Sequence, residues 1–401
     1  VIDFSQRVVE LDVFAGKEPS GRLTRRSQFE FDYSPAAKRP VSLIMSPDDR
    51  SFRDNELFAV MDMNLPEGFL LAQLRERSPK TPPTKMQLLA LIGENGIGRL
   101  GYREPTSLRS PKPRQVSRAR LLSEGSGRGG RIFAALVDAY LSSGSGLSGV
   151  QPKILVPDRT TIPAPNVLVK AGGAGYPGLA ANEFLCLEVA YRAGLPVPRH
   201  ELSDDGTLLL IDRFDLKGPT RLGFEDLAAL LDLRVGGALS DRKYRGSYEN
   251  VTRLISLFCS APDEALAGFF DQLALSVLVR NGDAHLKNFG VLYDDQRRWL
   301  APVFDVVTTT IYPYDRGGEP VTDRTMALKL TAKGDRNYPA PDELLRFATE
   351  LCRVAEPREN VRAIASAMRE TLERARGDDR IPRATLKAMR AEWEDALRPW
   401  Q

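Results

Sequence analysis

Cysteine and histidine are scarce in these 401 residues. The three cysteines, Cys186, Cys259 and Cys352, lie far apart, which excludes a disulfide framework and a cysteine-built zinc or iron–sulfur centre. Two histidines, His200 and His285, leave no material for a histidine-rich metal site or a zinc-peptidase motif. Acid–base chemistry therefore falls mainly to carboxylates. No apolar run approaches the roughly 18 residues of a membrane span. The first residues also lack the basic-then-apolar pattern of a secretion signal. No membrane association and a reducing, cytoplasmic setting are expected. An excess of one charge sign is missing too: 56 basic against 53 acidic side chains leave +3, too balanced to argue nucleic-acid binding alone. What is present is ordinary for a globular protein, with 42% hydrophobic and 27% charged residues. The length fits two or three domains of about 150 residues.

Residues 1–100 read as a small β-rich unit. Val8 to Phe14 and Phe29 to Tyr33 are short, β-branched or aromatic, and bounded by Gly, Pro or Ser. Leu88 to Ile92 is another apolar run of that stretch, stopped by Gly93-Glu94-Asn95-Gly96, and residues 65–77 have helical spacing. Residues 101–128 turn basic. Arg103, Arg109, Lys112, Arg114, Arg118 and Arg120 face one early acid, Glu104. The stretch reads as an exposed linker that is either simply solvated or touches phosphate.

Strands return at Lys153 to Val156, Val167 to Lys170 and Leu208 to Ile211, with a helix over about 180–194 between the last two. Beyond residue 216 the spacing is helical: Leu222 to Leu233, Tyr248 to Cys259, Glu264 to Val279, then about 342–354, 358–374 and 383–397. One strand pair interrupts it, Phe289 to Tyr293 and Trp299 to Phe304. The expected fold is α+β and two-lobed, with a cleft between lobes. Residues 1–120 form an N-terminal β-rich subdomain with a basic linker, 121–215 a β-rich lobe, and 216–401 a mainly helical lobe.

Four signals occur in an order that fits phosphoryl transfer. The first is the Gly/Ser stretch Ser142 to Lys153, whose amides can cradle phosphates, although such stretches are also plain loops. It is not a Walker A loop. The second is Lys170 at a strand end, with Glu183 at the head of the next helix. In protein kinases such a pair holds the lysine against ATP phosphates; a surface lysine and a first-turn glutamate would look the same. The third and strongest is Asn281-Gly282-Asp283-Ala284-His285-Leu286-Lys287-Asn288. Asp283 and Asn288 have the Asp-to-Asn spacing of a kinase catalytic loop, where the Asp takes the acceptor hydroxyl's proton and the Asn holds magnesium. The fourth is Asp305, 17 residues on, across the predicted strand pair. Two oxygen donors, Asn288 and Asp305, suit Mg²⁺. Asp212-Arg213-Phe214 closes the last strand of the front half and reads as a hinge whose backbone faces an adenine edge.

These stretches resemble the HipA family of bacterial serine/threonine kinases, the toxins of type II toxin–antitoxin pairs. The resemblance rests on Ser148-Gly149-Val150-Gln151-Pro152-Lys153, Val169-Lys170, Asn182-Glu183, Asp212 to Asp215, Arg242-Lys243-Tyr244, Asn281 to Phe289 and Ala301 to Asp305. It spans roughly residues 5–370. It implies a kinase-like fold with an extra N-terminal β-rich subdomain, using ATP and Mg²⁺. By resemblance, Asp283 is the catalytic base, His285 stands beside the transferred phosphate, and Lys170 binds phosphate. Asn288 and Asp305 are the metal ligands. The implied nucleotide site includes Ser148, Gly149, Val150, Gln151, Lys153, Lys170, Asp212, Phe214, His285, Lys287, Asn288 and Asp305. The implied partners are a small helix-turn-helix antitoxin (HipB-like), operator DNA through that complex, and a protein substrate such as an aminoacyl-tRNA synthetase, classically the glutamyl enzyme. The family's self-phosphorylated serine falls on Gly146 here, which leaves Ser148 and then Ser145 as the autophosphorylation candidates. A small-molecule kinase and a pseudokinase corepressor scaffold are the competing readings.

Overall fold

The computed structural model describes residues 4, 6–77, 82–105, 116–126, 131, 134, 135, 137, 153–158, 165–172, 175–235 and 237–400. The chain is α+β and two-lobed, with a β-rich N-terminal subdomain and a helical C-terminal lobe. Its Cα packing divides it into two units. The first holds Val1–Ala171, Leu210–Lys243 and Leu292–Gln296; the second holds Gly172–Leu209, Tyr244–Val291 and Arg297–Gln401.

The first unit opens with an antiparallel five-stranded sheet: β1 (Glu10–Ala15), β2 (Glu18–Arg25), β3 (Phe29–Tyr33), β4 (Ser51–Asp54) and β5 (Leu100–Arg103), in the order β4-β3-β2-β1-β5. Alternation builds β1 and β3. Leu11, Val13 and Ala15 of β1 and Phe29, Phe31 and Tyr33 of β3 are buried, while the residues between them reach solvent. The apolar run Leu88 to Ile92 is not a strand: it ends the helix Lys85–Ile92. Thr84 and Gln87 form a reciprocal capping box at its start, and Gly93 caps its end. These local signals override a short apolar run that fits either structure.

In the same unit β6 (Lys153–Val156) pairs antiparallel with β7 (Val167–Ala171). Leu222 to Leu233, expected as a helix, is the strand Gly223–Asp226 followed by the short helix Leu227–Leu230. Asp226 caps that helix by accepting the Ala229 N–H at 2.7 Å, so no helical turn begins before it. Glu225 is pulled inward by three bonds: the Ser42 hydroxyl at 2.6 Å, the Leu43 N–H at 2.7 Å and the Tyr293 hydroxyl at 2.9 Å.

The second unit is built on the helix Pro262–Leu278, which starts with Pro262 and two first-turn acids, Asp263 and Glu264. Its buried face, including Leu266, Phe269, Phe270 and Leu273, packs against the helices Tyr248–Phe258 and Pro357–Ala375. The Phe269 ring lies 5.2 Å from the Phe289 ring, edge-on. Leu179–Arg192, Pro341–Leu351 and Arg383–Leu397 complete the helices near their expected bounds. The strand expected over Trp299 to Phe304 is only Arg298–Leu300. Pro302 has no N–H to give a ladder. The neighbouring groups bond elsewhere: the Ala301 carbonyl takes Gln272 Nε2 at 2.8 Å, and the Val303 N–H reaches Pro196 O at 2.8 Å. No helix among the described residues is long and apolar enough to cross a membrane.

Candidate active site

The loop after the central helix carries the densest chemistry. The helix ends at Leu278, and Arg280 takes a left-handed φ of 59° that turns the chain. Asn281 Oδ1 then accepts the Asp283 N–H at 3.1 Å. The Asp283 carbonyl receives the His285 N–H at 2.7 Å and Asn288 Nδ2 at 2.9 Å. The Asp283 backbone is therefore tied at both polar groups. Its side chain stays 47% exposed. Tyr244 donates its hydroxyl to Asp283 Oδ1 at 2.7 Å, and His285 Nε2 lies 3.8 Å from the same oxygen. Among the described side chains no further hydrogen bond or ion pair reaches that carboxylate.

A second segment is clamped to this loop. Asn288 Nδ2 also reaches the Asp305 carbonyl, at 3.3 Å. Thr309 Oγ1 accepts the Gly282 N–H at 2.7 Å and donates to the Arg280 carbonyl at 3.1 Å. Thr308 is held from three directions. Asn182 Oδ1 accepts its N–H at 2.8 Å, Asn182 Nδ2 donates to its carbonyl at 3.0 Å, and Trp393 Nε1 donates to its hydroxyl at 2.9 Å. Asp305 itself sits at φ 57°, a region that Asp and Asn tolerate better than most residues. These contacts join Asp283, His285, Asn288 and Asp305.

The donor set fits a hard divalent ion. With Asn288 Nδ2 given to two carbonyls, Oδ1 is the atom left to act as an oxygen ligand. Asp305 supplies a carboxylate nearby. Among the described residues no three His, Cys, Asp or Glu side chains form a metal cage. Mg²⁺ keeps waters and phosphate oxygens and takes few protein ligands.

The remaining expected residues lie in the first unit. Lys153 and Lys170 are direct partners across β6 and β7, and both are buried. Opposite residues in an antiparallel pair share a face, and like charges there repel. Glu183 is fully buried on the helix of the second unit, so it and Lys170 belong to different units. Asp212 accepts a bond from Arg118, which also reaches Asp158 at 2.6 Å. Arg118 therefore belongs to an ion-pair cluster at the head of the helix Arg118–Glu124 rather than to a solvated linker. The Phe214 ring lies 5.4 Å from that of Phe224, and Lys287 lies in the short turn Leu286–Asn288. Ser145, Ser148, Gly149, Val150 and Gln151 lie outside the described residues.

Sequence reasoning gave Tyr244 no role, although its stretch was part of the resemblance. Arg336, which stacks 5.8 Å over the Tyr244 ring and donates to its carbonyl at 3.3 Å, gave no local signal. Long-range partners of this kind have no spacing to read.

Comparison with known proteins agrees with the resemblance. A HipA-like C-terminal domain model matches residues 145–376, and a HipA N-terminal domain model matches residues 11–103. A Sinorhizobium fredii protein named "Putative kinase Y4dM" is 28% identical over 92% of this chain and 91% of its own length. A Haemophilus influenzae protein named "Putative kinase" is 26% identical over 48% of this chain and 60% of its own. The structure is similar to that of HipA from Shewanella oneidensis MR-1, solved with HipB and operator DNA. The TM-score is 0.70, with 97% of this chain and 96% of the other covered at 17% identity. At that identity the likeness is one of fold.

Proposed function

The chain belongs to the HipA-like family, and from that premise we propose that it is a serine/threonine protein kinase using ATP, the toxin of a toxin–antitoxin pair. The observation that carries this reading is the Asp283, Asn288 and Asp305 cluster, in which one amide, Asn288 Nδ2, fixes the backbones of both acids. Asp283 orients the acceptor hydroxyl and takes its proton. Asn288 Oδ1 and the Asp305 carboxylate hold the metal. Mg²⁺, when bound, neutralises charge growing on the transferred phosphoryl oxygens. Lys170 and Lys153 are assigned to phosphate oxygens, and His285 to the neighbourhood of the transferred group.

The finer parts of the proposal come from the family. The substrate is a protein hydroxyl, with an aminoacyl-tRNA synthetase such as the glutamyl enzyme as the first candidate, and its loss would stop translation. A small helix-turn-helix antitoxin binds the chain and carries it to operator DNA. Phosphate on Ser148, or on Ser145, would add about two negative charges near a site built for triphosphate and silence it.

The test is phosphopeptide mapping of a cytosolic extract incubated with the chain and Mg²⁺-ATP. A discrete phosphoserine or phosphothreonine target supports the reading. Nucleotide turnover with no labelled protein would replace it with a small-molecule kinase.

A further inference from the structure

We propose that Tyr244 is a positioning residue for the phosphoryl transfer, holding Oδ1 of Asp283 so that Oδ2 is the oxygen that takes the acceptor's proton. The inference rests on the kinase reading and assigns a role that the motif residues leave open.

Three observations carry it. The Tyr244 hydroxyl donates to Oδ1 at 2.7 Å, and His285 Nε2 faces the same oxygen at 3.8 Å. Oδ2 receives no hydrogen bond from a described side chain, yet Asp283 is about half exposed, so that oxygen remains open to an incoming hydroxyl. Tyr244 is itself fixed. Its ring stands edge-on to His285 with centroids 5.3 Å apart, Arg336 covers it at 5.8 Å, and Arg336 donates to its carbonyl at 3.3 Å.

With the Asp283 backbone tied at N–H and carbonyl, the remaining freedom is rotation of the side chain. A hydrogen bond to one oxygen removes that freedom and presents the other in one orientation. In the transfer, the acceptor O–H proton passes to Oδ2. The acceptor oxygen forms its bond to the terminal phosphorus, and the bond from that phosphorus to the bridging oxygen breaks, releasing ADP.

Tyr244→Phe deletes the hydroxyl and keeps the ring against His285 and Arg336. Transfer from labelled Mg²⁺-ATP into a fixed amount of cytosolic extract is measured for the parent, Tyr244→Phe, Asp283→Ala and the double variant while ATP is varied. Loss of one hydrogen bond to a charged group predicts a kcat lower by roughly tenfold to a hundredfold, with KM for ATP within about twofold. In the Asp283→Ala background the same change has no further effect, because the bond it removes is already gone. Parent-like kcat in Tyr244→Phe, or an equal loss in the Asp283→Ala background, overturns the positioning role and leaves the kinase reading intact. A parent that labels no protein overturns the kinase reading, and this inference with it.

Discussion

Asn288 donates its side-chain amide to the carbonyl of Asp305 across 17 residues of sequence, at 3.3 Å. This bond joins the two candidate metal ligands, so Asp305 depends on Asn288 for its place. Asp305→Asn keeps a residue that tolerates φ 57° and removes the charge. The variant should unfold at the parent's denaturant midpoint while its Mg²⁺-dependent gain in ATP affinity falls at least about tenfold. Calorimetric titration of ATP with Mg²⁺ and with a chelator measures this. An unchanged gain would remove Asp305 from the metal site.

Gly282 has no room for a side chain. A Cβ there would stand 2.6 Å from the Thr325 carbonyl oxygen and 2.9 Å from Thr309 Oγ1. Gly282→Ala should therefore push the Asp283 loop off Thr309 and cost about 1–3 kcal/mol. Urea unfolding gives the energy, and the transfer rate should fall with it. Parent-like stability would mean the loop has slack that the contacts do not show.

The short motif was legible because its chemistry is local. Asp283 and Asn288 lie within one turn of chain, and an eight-residue stretch that polar after a buried helix has few structural uses. The helices of the second unit were legible from apolar spacing; Pro262, Pro341 and Pro357 at their starts are further signals that went unread. Leu88 to Ile92 misled because five apolar residues fit strand and helix alike, and Thr84 with Gln87 was the deciding signal. The hairpin Tyr314–Arg316 with Glu319–Val321 went unread, although Gly317-Gly318, both at positive φ, is a strong turn signal. Tyr244, Arg336 and the Asn182 clamp on Thr308 were beyond sequence, since each acts on a residue far along the chain.

Glu225 predicts a pH dependence of stability. Burial pushes its pKa up to about 7 despite its three hydrogen bonds. Its carboxyl is protonated in the folded chain where the unfolded chain has already lost the proton. Stability from this group is therefore full below about pH 4.5 and is lost as pH rises through about 7, by roughly 3 kcal/mol in all. Glu225→Gln should flatten the slope of unfolding free energy between pH 5 and 7. An identical slope in the variant would assign it to other groups.

Tyr102 is buried, and its hydroxyl makes no hydrogen bond to a described residue. Burying an unsatisfied hydroxyl is unfavourable, so Tyr102→Phe should be neutral or stabilising by about 1 kcal/mol. Chemical denaturation measures it. A loss above about 1 kcal/mol would show that the hydroxyl has a partner, such as an ordered water.

The Asp283 loop is proposed to perform phosphoryl transfer. The most direct measurement is single-turnover transfer from labelled Mg²⁺-ATP by the purified chain into extract protein, beside Asp283→Ala, with ATP affinity measured on both. Transfer should fall at least about a hundredfold in the variant, with ATP affinity within about threefold of the parent. Equal transfer by the two proteins would contradict it.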